Sequence, residues 1–452
     1  MTPAPRLSGM RAFIIVALGQ VASLLGTGMT GFALTIWAFG ETGRATDLAL
    51  IGFFFITPML VLSPTAGALV DRHDRKLMMM LSDLASGVTT IVVLVLYSSG
   101  ALEIWHLYFT SAVSGSYQAF QWPAFSAAIS VMLPTEQYAR AHGITSLGES
   151  ASGILAPLLA GALLGLLGLS FILIVDIITF VVAIGALLLV HIPSPPRTES
   201  GEDGQGNIWR ESLYGFRYIF RRPSLLGLQI VFMAGNFLAG VGLTLMAPMI
   251  LARTGNNELI FGSVQSIGAA GGVAGGLLMS IWGGPRRLVH GVLLGWLASS
   301  LLGSVLMGLG QGAVIWAIAA FFLSFFVPVI NGSNQAIWQA KVAPDVQGRV
   351  FSVRRLIAWF SAPLSRLVAG PLADNLFEPA MMSGGALVDS FGRLVGTGPG
   401  AGMSLILVFS GLLAALVSVA GYLTPLVRNV EELLPDHIAV EGVGPEEAAV
   451  AG

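Results

Sequence analysis

The sequence predicts an all-α polytopic membrane protein, twelve transmembrane helices arranged as two six-helix pseudo-repeats. Three observations lead there. The 452 residues are 55% hydrophobic and only 10% charged, with a mean hydropathy of +0.81. Soluble domains carry about 25% charged residues, and so small a share cannot cover a water-facing surface. Twelve apolar stretches each approach or exceed the ~20 residues that cross a bilayer core as helix. Short strings of the first half recur in the second at an offset of roughly 210 residues, the mark of a duplicated bundle.

Only helices and closed barrels satisfy their backbone in hydrocarbon, so each stretch is read as a helix. The first, Met10 to Phe39, is too long for a signal-peptide core and has no small-residue cleavage site after it; it is expected to be retained. Leu48 to Val70 and Leu77 to Ser98 flank a knot of charge that must turn in water, and Ile104 to Leu133 follows. Gly143 to Leu167 and Leu169 to His191 are separated by Gly168 alone, which demands a tight hairpin. The second half offers Ser224 to Ala252, Ile260 to Trp282, Leu288 to Leu309, Val314 to Gln335, Val353 to Ala373 and Met403 to Leu426.

The longest connection, Ile192 to Pro223, divides the spans six and six. Its first part, Pro193 to Asn207, is rich in Pro, Gly, Ser and acid and reads as a linker. Its second, Ile208 to Phe220, puts Trp209, Leu213, Phe216 and Phe220 on one helical face, with Arg210, Arg217 and Arg221 elsewhere. That pattern suits an amphipathic helix on the inner leaflet, or a solvated linker helix. The expected units are 1–191, the linker 192–223, 224–427 and a tail 428–452; the Gly-rich connection Asn375 to Gly402 reads as a lid.

Placing both termini on one side gathers all but four of the 22 Lys and Arg there. Arg44, Arg253 and Arg393 fall opposite, and Arg366 falls inside a span. By the positive-inside bias both termini are cytoplasmic. The net charge of −2 gives no footprint for nucleic acid. Without cysteine there is no disulfide, thiol catalysis or thiolate metal site. The six His are scattered and none pairs with a carboxylate at metal spacing. The Gly268 to Gly276 run sits inside an apolar span as a packing surface, so no phosphate loop is present. Neither an enzyme nor a cofactor is expected.

Two echoes carry the repeat. Ser116-Tyr117-Gln118-Ala119 matches Ser333-Asn334-Gln335-Ala336, and Arg75-Lys76 recurs as Arg286-Arg287. The run Gly67-Ala68-Leu69-Val70-Asp71-Arg72-His73-Asp74-Arg75-Lys76 resembles the loop between helices two and three of major facilitator superfamily transporters. That resemblance implies a cytoplasmic latch in which Asp71 and Arg75 bridge to the other half, with Gly67, Arg72 and Lys76 completing the motif; plain positive-inside anchoring explains part of the same charge. The copy at Arg286 and Arg287 has Trp282 in the place of Asp71.

In span five Gly143, Ser152, Ala156-Pro157 and Ala160-Gly161 fall on the glycine-proline pattern of the drug antiporters. Small residues there let helices approach closely, and Pro157 supplies a bend, so Pro157 and Gly161 join the gating candidates. Phe120-Gln121-Trp122-Pro123-Ala124, Gly332 to Gln339, Gln347-Gly348-Arg349-Val350-Phe351 and Ala369-Gly370-Pro371-Leu372-Ala373-Asp374 resemble the drug:proton antiporter-3 branch, which includes macrolide-efflux proteins and siderophore exporters. The resemblance implies a monomer in a bacterial cytoplasmic membrane, exporting a lipophilic or amphipathic small molecule by alternating access with protons as coupling ion. An importer or facilitator of the same fold, or a lipid scramblase, is the alternative. Ser111 stands where many drug antiporters carry an arginine, so the resemblance also implies a different proton route or a different ion.

Charge inside a membrane is expensive and marks function. At 1.5 Å per residue Glu149 and Asp83 lie about 9 Å from the cytoplasmic ends of their spans, Asp176 about 10 Å from the outer end and Arg366 about 20 Å deep. The superfamily arrangement implies that spans three and six are peripheral and that five and eleven flank the cavity, which favours Glu149 and Arg366 over Asp83 and Asp176 as proton-coupling candidates; Glu149 suits a proton carrier or a structural hydrogen bond to a neighbouring helix. Arg366 suits either an anionic substrate or an ion pair. The amides Gln20, Gln118, Gln121, Asn236, Asn331 and Asn334, with Trp122, stand on spans one, four, seven and ten. They are the candidates for a large amphipathic cavity, or for interhelical hydrogen bonds.

Overall fold

The computed structural model describes residues 9–72, 74–134, 137–192, 216–342 and 346–435; within these, the side chains of residues 64, 65, 67, 68, 70–72, 122, 127, 130, 138, 139, 142, 347–349 and 352 are outside the description. The first half holds α1 (Gly9–Thr42), α2 (Ala45–Arg72), α3 (Arg75–Ser98), α4 (Ile104–Met132) and α5 (Tyr138–Leu189). The second holds α6 (Pro223–Thr254), α7 (Glu258–Trp282), α8 (Leu288–Ala298), α9 (Ala313–Phe325), α10 (Val327–Lys341), α11 (Gln347–Leu372), α12 (Val388–Val395) and α13 (Ala401–Leu423). Among the described residues ten helices are long and apolar enough to cross a membrane.

The expected twelve spans exceed that ten for two physical reasons. Spans five and six form one helix of 52 residues broken at Gly168, whose φ of 77° and ψ of 174° turn the chain back. The packing proves the reversal. Along the first arm Gly148 meets Val21 and Ala156 meets Gly28, while along the second Asp176 meets Gly26 and Ala186 meets Gly19. The other case is α4, where a run of Ser, Gln and Tyr lowers the hydropathy of an otherwise ordinary 29-residue helix.

Helix ends follow their caps. Asp74 starts α3 by accepting from the backbone N–H of Lys76 at 2.8 Å and of Leu77 at 3.2 Å, as a short acidic side chain does at an N-cap. Asn257 starts α7 in the same way, accepting from Ile260 at 2.9 Å. Span ten is divided at Phe326 because Pro328 lacks the N–H that would continue α9. Span nine continues α8 through a π-helical stretch, Ser299–Val305, and a final turn, Leu306–Leu309.

Side chains such as Leu166, Ile281 and Val314, exposed by 79%, 85% and 74%, turn outward where lipid would meet them. Inside, three larger apolar clusters divide the molecule. One contains residues of both halves, among them Phe32, Phe39 and Leu173 with Leu245, Phe261 and Trp316. The other two stay within one half each: Phe13, Met79, Phe125 and Leu187 in the first, and Leu228, Val292, Trp338 and Val350 in the second. The shared cluster lies at the end of the bundle remote from Gly9, called distal below, and the separate ones lie at the near end.

Two peripheral segments bear on the expectations for them. The connection 375–402 is not a loose lid: α12 packs through Val395 on Leu405 and Val408, Glu378 accepts from the backbone of Gly400 at 3.1 Å and Met403 at 2.8 Å, and Arg253 donates to the Val395 carbonyl. Of the linker helix only 216–220 is described; there Tyr218 and Ile219 are buried against the second half and Phe220 is exposed. The remainder, with Trp209 and Leu213, lies outside the described residues.

Candidate transport cavity

At the distal end the two halves are clasped. Asp374, just past α11, accepts from the backbone N–H groups of Ala45 at 3.0 Å and Thr46 at 2.7 Å, so a carboxylate of one half caps the first turn of α2 in the other. A turn earlier Gly370 lies against Thr46 so tightly that a Cβ there would sit 2.5 Å from its Cα. The second seam joins α5 to α7. A Cβ at Gly161 would lie 2.7 Å from the Glu258 carbonyl, Gly262 meets the Pro157 carbonyl more closely still, and Ser266 donates to the Ile154 carbonyl at 2.7 Å. Phe32 stacks on Phe261 with centroids 4.9 Å apart. Pro157 and Gly161, expected in gating, therefore stand on the seam between the halves.

The motif expected to latch the near end is described in part. Lys76 donates to the Val190 carbonyl at 2.7 Å, closing the end of its own half. Arg75 begins α3 beside the Asp74 cap. Arg287 pairs with Glu432 of the C-terminal turn, and Arg286 is exposed. Gly67, Asp71 and Arg72 lie where side chains are outside the described residues, as does Trp122.

Between the clasped end and the near end the halves enclose space. A cavity of about 500 Å³ is lined mainly by the second half, with Asn236, Trp296, Asn331, Trp359 and Arg366 facing Met59 of α2. A pocket of about 110 Å³ in the first half is lined by Gln20, Gln118, Gln121 and Glu149. The structure thus brings together Gln20, Gln118, Gln121 and Glu149 on one wall, and Asn236, Asn331 and Arg366 on the other. Asn334 joins neither: it is 0% exposed within the second half.

The intramembrane charges sort by partner. Asp83 is buried behind the first-half pocket and accepts from Gln20 at 2.8 Å and Gln121 at 3.0 Å, while Gln121 also donates to Gln20 at 2.6 Å. A carboxylate expected on a peripheral span is tied directly to the pocket wall, because α3 turns that face toward α1 and α4. Glu149 is exposed on the same pocket. Asp176 is 3% exposed and held by the hydroxyls of Thr27 at 3.1 Å and Thr90 at 2.9 Å, which makes it a bridge among α1, α3 and the second arm of α5. Arg366 donates to the Ala362 carbonyl at 3.1 Å and meets no carboxylate among the described residues.

Sequence reasoning missed Asp374, although it had quoted the string that contains it. Its partners lie 329 and 328 residues away, a distance no local pattern spans. It also missed Asp47, which accepts from the Tyr108 hydroxyl at 2.7 Å and pins α2 to α4.

Comparison with known proteins agrees with this architecture. Macrolide efflux protein A of Streptococcus pyogenes is 26% identical over 370 residues, 80% of this chain and 90% of that one. Its namesake from Enterococcus faecalis is 27% identical over 324 residues, 70% of this chain and 97% of that one. A crystal structure of a bacterial homologue of the human lysosomal transporter Spinster, inward-facing and unoccupied, superposes with a TM-score of 0.64 at 17% identity, covering 91% of this chain and 96% of that one. The sequence model of the Major Facilitator Superfamily matches residues 16–365. Two helical halves around a central cavity, with that match across most of the chain, make this protein a member of the Major Facilitator Superfamily.

Proposed function

We propose that the chain exports a lipophilic or amphipathic small molecule across a bacterial cytoplasmic membrane, by alternating access coupled to inward proton flow. The observation that carries this reading is the asymmetry of the core. One apolar cluster joins the halves distally, whereas two separate clusters, one in each half, lie toward the near end. With both termini cytoplasmic, this is an inward-facing state, ready to load from the cell interior. Rocking the halves about the central cavity would break the Asp374 clasp and close the near end. The relatives named for macrolide efflux support export of a bulky compound.

Glu149 is the proton carrier in this reading, since it lines the first-half pocket, exposed, while Asp83 holds the amides that shape the same pocket. Purified protein in liposomes, with a pH-sensitive dye inside, tests the whole. Macrolides, siderophores or cationic dyes added under an imposed proton gradient are expected to provoke proton movement, and Glu149→Gln to abolish it. Compound or lipid transfer that ignores the gradient would replace export by facilitation or scrambling.

A further inference from the structure

Arg366 is the unexplained charge of this molecule. It sits on α11 at membrane depth, where an ionised group without a partner is strongly disfavoured. Its guanidinium is laid over Gly52 of the opposite half, where a Cβ would come 2.7 Å from Nε. It lines the roof of the 500 Å³ cavity and also the floor of a second void of about 120 Å³, beneath the Asp374 clasp, with Thr35, Ala49 and Thr244. Among the described residues that line the larger cavity it alone is charged; the rest are apolar, aromatic, hydroxyl or amide groups. One turn short of Trp359 along α11, toward the near end, Arg355 lies 4.5 Å from the ring centre of that tryptophan, which lines the same wall. Arg366 on that wall and Arg355 behind it are thus both cations, and no acidic residue lines the cavity among the described residues.

We infer that Arg366 is the recognition point for an anionic group on the substrate, which is an amphipathic organic anion: an apolar body for the Trp296, Trp359 and Met59 surface, and one carboxylate-like head for the guanidinium. The planar fork of arginine holds a carboxylate through two parallel hydrogen bonds, which a lysine cannot copy. The paired state replaces an isolated buried cation by a compensated one, so the head group contributes most of its affinity at the roof. Arg355 supplies the longer-range attraction that draws an anion toward the cavity. The inference rests on the transporter reading above for its occupant, and it adds the chemical class that the reading leaves open.

A matched pair of fluorescent probes tests it: 11-(dansylamino)undecanoic acid and its methyl ester, which differ only in the charge of the head. Binding to the full chain in nanodiscs is read by energy transfer from tryptophan to dansyl, with no gradient imposed. In the unmodified protein the acid is expected to bind at least about tenfold more tightly than the ester, the scale of one charge-assisted pair. Unlabelled dodecanoate is expected to displace it, and dodecanol not. Arg366→Gln should bring the acid down to the affinity of the ester, and Arg366→Lys should recover part of the gap. Equal affinity for acid and ester, a gap that survives Arg366→Gln, displacement by dodecanol as readily as by dodecanoate, or binding of neither probe each overturns the inference. The displacement arm needs no variant, so a misfolded Arg366→Gln protein does not rescue it. Absence of proton coupling in liposomes would sink the antiport reading and leave the acid preference standing; absence of the preference would leave export of neutral compounds standing.

Discussion

Asp374→Ala is the sharpest perturbation of the clasp. In the present state its carboxylate accepts from two backbone donors, at 3.0 and 2.7 Å, at the first turn of α2. A negative charge there also meets the positive end of the helix dipole. Removing an N-cap of this kind costs about 1–2 kcal/mol, and Asp374 is only half-buried, so water replaces part of the loss. These bonds cannot exist once α2 and α11 separate, so the whole cost falls on the distally closed state. The population of the distally open state should then rise roughly 5- to 30-fold. Because the chain has no cysteine, Ala49→Cys supplies a single thiol. Ala49 is 2% exposed and lines the void beneath the clasp, so reagent from the distal side reaches it only in the open state. With opening fast relative to labelling, the rate for an impermeant maleimide reports that population. Adding Asp374→Ala should raise the rate within the range given; Asp374→Asn, which keeps one acceptor oxygen and loses the charge, should raise it less. An unchanged rate in a folded protein would mean that the clasp does not hold the halves together.

Three further outcomes follow from contacts between neighbouring elements. Asp83→Ala takes away the acceptor of the Gln20 amide and one of the two acceptors of the Gln121 amide and should cost about 1–3 kcal/mol, read as a lower melting temperature, with Asp83→Asn milder. Gly275→Val drives a Cβ that would already lie 1.9 Å from the Phe325 carbonyl into α9; overpacking of this kind costs about 1–3 kcal/mol or more, and folded yield in detergent should fall sharply. Glu431 caps the start of α8 through Leu288 at 3.1 Å and Val289 at 2.9 Å, while Lys341 donates to the Glu431 and Leu434 carbonyls. Glu431→Ala should therefore speed proteolysis near residues 430–435 by roughly the factor of an N-cap, about fivefold.

The fold was legible because hydropathy is written locally: every expected span begins or ends within a few residues of a helix, and Gly168 was readable as a hairpin from position alone. The cavity was half legible. Amides at membrane depth announce themselves, and Gln20, Gln118, Gln121, Asn236 and Asn331 do line the cavities. Asn334 does not, because its face of α10 turns into the second half, and a rotation of about 100° per residue is invisible without the neighbours. Asp83 was undervalued for the complementary reason: its role depends on two glutamines that only packing brings to it. The cap that Glu431 provides was not legible in the tail 428–452, because its value lies in the N–H groups of α8, some 143 residues away.

Arg366 and Asp374 together imply that substrate and gate act on one pair of helices. They stand eight residues apart on one continuous helical stretch, about 12 Å along its axis, and their contacts on α2, Gly52 and Ala45, are separated by nearly the same length. A ligand shifts a conformational equilibrium only by its differential affinity for the two states. A guanidinium lying across Gly52 spans the closed seam, so drawing it toward a substrate head group alters the contact that brings α2 against α11. Gly52→Ala imitates that change without a ligand, since the new methyl would sit 2.7 Å from Nε and 3.0 Å from Cδ of Arg366. It should speed labelling of the Ala49→Cys thiol even with Asp374 intact. Combined with Asp374→Ala it should give less than the sum of the two effects, because whichever contact is lost first has already loosened the other. Fully additive effects would show two independent seams and would separate substrate recognition at Arg366 from opening of the distal gate.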